Sequence, residues 1–140
     1  MLFLTNSDIL KLITQDILDQ ITDGDSSLLD STESSAITKM KSYLNSRYDV
    51  AAIFSASGTS RNPLIIEMLT DLVIYTLHAR VTPHSVPEER ARRYDEVIRW
   101  LEKVNKGELN VPDATLLVDA NGNTESPLKF GNSDNPNYKW

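Results

Sequence analysis

The chain has 140 residues, 40% of them apolar and 24% charged, with 14 Lys and Arg against 20 Asp and Glu and a formal charge of −6. That length suits one domain with a sizeable core, and the absence of Cys excludes disulfides and thiolate chemistry. A net-acidic surface does not hold DNA by neutralising phosphates.

The apolar run Leu64 to Leu77 carries Glu67 and Asp71 and falls short of the ~20 apolar residues of a membrane span. Met1–Leu4 lacks the basic flank and the length of a signal peptide. The expectation is a soluble, acidic protein of intracellular type, without a membrane partner. Charge is uneven along it: residues 1–60 hold 4 basic and 8 acidic side chains, residues 61–108 hold 8 and 8, and residues 109–140 hold 2 and 4.

In chain order, Thr5 and Asp8 stand at capping-box spacing before Ile9, Leu12 and Ile13, which recur at helical period. Ile17, Leu18 and Ile21 form a second short apolar set before Asp23–Gly24–Asp25 breaks the pattern. Asp30 and Glu33 predict the opening of a further helix with Ile37, Met40 and Leu44 on one face and Tyr48 a turn beyond. Asp49 to Arg61, rich in Ser, Ala and Gly, reads as a loop. Asn62–Pro63 then supplies an N-cap and a first-turn Pro.

The helix from Pro63 to about Arg80 is apolar over most of its circumference, which requires protein on nearly every side. It is either the central core helix or one that yields a face to another subunit. After the Pro83–Pro87 connection, Ser85 and Glu88 predict another capping box. The last helix buries Tyr94, Val97, Ile98, Leu101 and Val104. Its outer face offers Glu88–Arg92, Glu89–Arg93, Asp95–Arg99 and Glu102–Lys106 as i, i+4 pairs, and Gly107 is its stop.

From Leu109 onward, Asn, Pro and Gly forbid a long helix. Leu116–Leu117–Val118 and Leu128–Lys129–Phe130, with Asn121–Gly122 between them, suit short strands. Large apolar side chains are too few here to offset the entropy of ordering the segment on its own. The reading is a helical domain over 1–108 and an extended arm over 109–140. That arm docks on other subunits through Leu116, Val118, Leu128, Phe130, Tyr138 and Trp140.

No catalytic constellation stands out, and no metal or cofactor is expected. His78 and His84 are six apart, not the four that would put two ligands on one helix face. Ser55 to Ser60 lacks the Lys and the preceding strand of a phosphate loop. Arg90, Arg92, Arg93 and Arg99 interleave with Glu88, Glu89, Asp95 and Glu96, which describes a salt-bridged face better than a DNA-binding one. The protein is not expected to be an enzyme.

Four stretches together are similar to a known family. They are Leu4–Thr5–Asn6–Ser7–Asp8–Ile9, then Ser42 to Val50 around Tyr43–Leu44 and Arg47–Tyr48–Asp49, then Asp71 to Arg80 with Tyr75 and Leu77, and finally Arg93 to Leu109 with Tyr94, Trp100 and Gly107. In this order and spacing, over about residues 3–111, they resemble the head–tail connector (adaptor, or head-completion) proteins of Mu-like tailed bacteriophages. Two features depart from that pattern: Val50 leads into Ala51–Ala52 with no Pro, and the C-terminal arm is less patterned.

The resemblance implies an all-α bundle of about four to five helices with an extended arm. It implies a homo-oligomeric ring, usually of twelve copies, between the portal protein and the tail or its stopper, with DNA only passing through the lumen. Such a protein sits in the virion at the head–tail junction and in the host cytoplasm during assembly. Arg47, Tyr48, Asp71, Tyr75, Tyr94 and Trp100 are then fold-organising, with Arg47 expected to pair a carboxylate at a helix end. The alternatives are another phage assembly module, tail-completion or terminase-associated, and a small DNA-binding helical protein.

Overall fold

A computed structural model describes residues 1–81 and 84–118. Among the described residues six α-helices and a 3-10 turn make up an all-α fold: α1 (Asn6–Leu10), α2 (Gln15–Thr22), α3 (Ser26–Leu44), α4 (Val50–Ser55), the turn Gly58–Ser60, α5 (Pro63–Val81) and α6 (Glu88–Asn105). Among the described residues no helix is long and apolar enough to cross a membrane.

The N-terminal helices form where the sequence supplies caps. Thr5 and Asp8 close the expected capping box, each side chain bonded to the other's backbone. The apolar series does not continue as one helix. α1 ends after a turn and a half, and Thr14 opens α2 by accepting the Ile17 N–H. At the far end of α2, Asp23 adopts the left-handed conformation (φ 54°) and Gly24 follows at φ 70°, which turns the chain.

α3 starts earlier than the Asp30–Glu33 spacing predicts. Its cap is Asp25, whose carboxylate accepts the Ser27 N–H at 2.9 Å. Glu33 serves another purpose. It is fully buried, and its carboxylate accepts the N–H groups of Leu2, Phe3 and Leu4 at 2.6–2.8 Å. The N-terminal segment thus lies against α3 with its backbone donors satisfied.

The stretch 49–61 is not a plain loop. Asp49 caps α4 through the Ala52 N–H, and Ile53 is buried. Weak local propensity is overridden here by a cap and one buried side chain. Asn62 caps α5 as expected, its side-chain oxygen accepting from Leu64 and Ile65.

α5 is the central helix. It packs against α1, α2, α3 and α6, so the chain's own helices cover its apolar circumference. Ile65, Leu69, Leu72, Val73, Ile74 and Leu77 are buried, and Ile66 and Met68 are half-buried against the same core. The core also takes in Ile9, Met40, Leu44, Val97 and Leu101.

At α6 the Ser85–Glu88 box does not form. Pro87 occupies the cap position and makes no side-chain bond. The exit matches expectation: Gly107 sits at φ 84°, its N–H donating to Val104 and that of Glu108 to Lys103, a Schellman closure. The outer-face pairs differ from the i, i+4 set. Arg92 bonds Glu89 and Glu96, while Arg93 turns inward to α5.

Candidate functional site

Two of the four motif stretches meet across α5 and α6. Arg93 donates to Asp71 through Nε (2.8 Å) and Nη2 (3.0 Å), a planar fork on a carboxylate that is nearly buried. Arg90 stands 3.7 Å from the same carboxylate. One turn along α5, Tyr75 stacks on Tyr94 with ring centroids 4.2 Å apart. Asp71 and Tyr75 share a face at i, i+4 spacing, and the consecutive Arg93 and Tyr94 answer them.

The Arg47–Tyr48 stretch lies where α3 ends, beside the last turn of α6. Arg47 donates to the Val104 carbonyl and to Asn110, not to the carboxylate that was expected. The last turn of a helix leaves carbonyls without intrahelical donors, and a guanidinium suits both those groups and the negative end of the dipole. Burial pushes the Arg47 guanidinium pKa down from its usual value.

Tyr48 is buried, and its hydroxyl accepts the Val111 N–H at 2.9 Å. The backbone beside it clasps the segment after α6. Asp49 N–H bonds Thr115 O at 2.8 Å, Leu117 N–H bonds Arg47 O at 3.3 Å, and Tyr48 forms an antiparallel bridge with Leu116. The first part of the expected arm thus finds support on its own chain. Residues 109–117 dock on the bundle because the extended backbone at 47–49 offers open hydrogen-bonding groups and Val111 is buried.

Of the expected arm residues, Leu116 is half-buried against its own core and Val118 is exposed. Leu128, Phe130, Tyr138 and Trp140 lie outside the described residues, as does the Asn121–Gly122 turn. Trp100 packs half-buried on the core and lines a shallow groove of about 260 Å³ with Arg99, Lys103 and Leu109.

One surface depression was not singled out from the sequence. It lies between α3 and α6, is about 540 Å³, and is lined by Lys39, Tyr43, Tyr94, Asp95, Ile98 and Arg99. Lys39 donates to the Tyr94 hydroxyl at 3.0 Å. The i, i+4 pairs Lys39–Tyr43 and Tyr94–Ile98 were legible, but nothing local says that they face each other.

A second missed element is the Arg61–Asp8 ion pair at 2.6 Å, which joins the chain before α5 to α1. Burial pushes the Asp8 carboxyl up, but hydrogen bonds from Arg61 and Thr5 outweigh it and hold the pKa below the usual value. His78 is half-buried on α5 and His84 exposed. Among the described residues no group of three or more His, Asp or Glu is placed to hold a metal ion. Aromatic and Arg side chains, the residue types enriched at protein contacts, line open grooves on this surface.

The family model described as Bacteriophage Mu, Gp36 matches residues 3–126, a span that includes all four motif stretches. No curated protein matches the chain.

Proposed function

The chain belongs to the Bacteriophage Mu, Gp36 family, and from that membership we propose that this phage structural or assembly protein is a head–tail connector. It forms a ring of identical copies that joins the portal to the tail or its stopper, and DNA passes through the lumen. It catalyses no reaction and needs no cofactor. It acts in the virion, after assembly in the host cytoplasm.

The observation that carries this reading is the family match over residues 3–126, within which Asp71–Arg93, Tyr75–Tyr94 and Arg47–Val104 hold three of the four motif stretches together. The motifs therefore specify a scaffold, as a connector requires, and the grooves around it are open to partners. A formal charge of −6 suits a lumen that lets DNA slide, because a basic wall would grip phosphates.

Electron microscopy of the phage particles, with the protein located by antibody or mass spectrometry, tests the reading. A ring at the portal–tail junction is the expected result. Absence from the mature particle, with co-purification on terminase instead, would make the protein an assembly factor and end the connector reading.

A further inference from the structure

Charge is segregated along α3. Residues 12–38 contain six acidic side chains and no basic one. Five of the six have partners within the molecule: Glu33 is buried beneath residues 2–4, Asp23 pairs with Arg80 at 3.2 Å, Asp30 pairs with the Met1 amine at 2.8 Å, and Asp25 and Asp19 accept from the uncharged Ser27 and Gln15 and so keep their charge unpaired. On α2, Asp16 and Asp19 are exposed on either side of Ile17, an apolar side chain that is itself 37% exposed. This acidic edge lies at the N-terminal end of α3.

The C-terminal half of α3 is different. There Lys39 and Arg99 flank the groove described above, with Tyr43, Tyr94 and Ile98 as its half-buried floor and Asp95 also on its lining. Arg99 continues into the neighbouring depression beside Trp100 and Lys103. Tyr, Trp and Arg in a partly desolvated hollow are the side chains that anchor protein contacts.

We infer that this α3–α6 groove receives the acidic edge of α2 from a second copy of the chain, Asp16 and Asp19 against Lys39 and Arg99, with Ile17 on the aromatic floor. The inference rests on the ring reading and names its subunit contact. The two surfaces are different patches of one molecule, so the contact is head-to-tail, and a head-to-tail contact is what closes a ring of identical copies. Opposite charge on the two patches favours this orientation and disfavours groove-to-groove pairing.

The experiment uses the full chain and measures self-association by sedimentation velocity at low and high salt. The groove variant is Lys39→Glu with Arg99→Glu, and the edge variant is Asp16→Lys with Asp19→Lys. Both alter exposed side chains, and melting by circular dichroism checks that each folds. Each variant alone should associate about tenfold more weakly than the wild type, because like charges then face each other. An equimolar mixture should recover association, since the reversed groove of one fits the reversed edge of the other.

Unchanged association of either variant overturns the inference, as does a mixture that stays dissociated or a wild type that stays monomeric at both salt concentrations. Loss in the groove variant alone points to a different occupant, residues 119–140 or another protein, and overturns it equally. The ring reading is judged separately, by whether the wild-type chain is found at the junction of intact particles.

Discussion

Arg93 of α6 and Asp71 of α5 form a two-pronged ion pair, with Nε on one carboxylate oxygen at 2.8 Å and Nη2 on the other at 3.0 Å. The carboxylate is 5% exposed and the guanidinium 25% exposed, so the pair works at the edge of the core. Arg93→Ala leaves a nearly buried carboxylate with only Arg90 nearby, and should cost about 2–4 kcal/mol of unfolding free energy. Arg93→Lys should recover little of it, because an ammonium cannot reproduce the fork. The double variant Asp71→Leu/Arg93→Leu should be less destabilised than the sum of its single changes. Urea unfolding of the four proteins measures this, and strict additivity would remove the coupling claimed.

Tyr48 fixes the segment that follows α6. Tyr48→Phe keeps the buried ring and deletes the oxygen that accepts the Val111 N–H, leaving a buried donor without a partner. The expected loss is about 1–2 kcal/mol. Amide exchange should accelerate at residues 111–117 first, while the amides of α5 keep their protection. Equal acceleration throughout would mean that the segment is not a separable layer.

These two ties show what the sequence could and could not reveal. Caps are local, so Thr5–Asp8, Asn62–Pro63 and Gly107 were legible. The spacing of Asp30 and Glu33 satisfied the same local rule and misled, because Glu33 answers to residues about thirty positions away. Arg93 was assigned to Glu89 on its own helix, but it prefers Asp71, 22 residues earlier, whose carboxylate is nearly buried. Helix surface rules rank near neighbours, and tertiary burial then overrules them.

The same reason hid the α3–α6 groove, whose sides are separated by more than fifty residues, and the docking of residues 109–117. That segment was judged by its apolar content, while the backbone hydrogen bonds from residues 47–49 supply much of its support.

Glu33 offers a third test. Its carboxylate accepts three backbone N–H groups, and no water reaches it. Glu33→Gln preserves shape but turns one acceptor into a donor facing donors, so about 2–3 kcal/mol should be lost. Protection of the Phe3 and Leu4 amides should fall before that of α3. A thermal melt that matches the wild type would show that these amides are satisfied in another way.

The last test is acid sensitivity above the carboxylate range. Burial on α5, with the positive charge of Arg90 added, holds the His78 imidazole pKa below its ordinary value of about 6.5. The unfolded chain therefore binds a proton at His78 more readily than the folded one. Stability is flat where the imidazole is neutral in both states, above about pH 6.5, and falls as the pH drops from there toward the folded-state value. Asp8 does not contribute in that window, because its carboxyl is held below its usual value and stays ionised until more acid conditions. Melting temperatures measured between about pH 7.5 and about pH 5.5 should decline for the wild type and decline less for His78→Gln, which has no proton to take up. An identical slope in the two proteins would mean that His78 does not set this dependence.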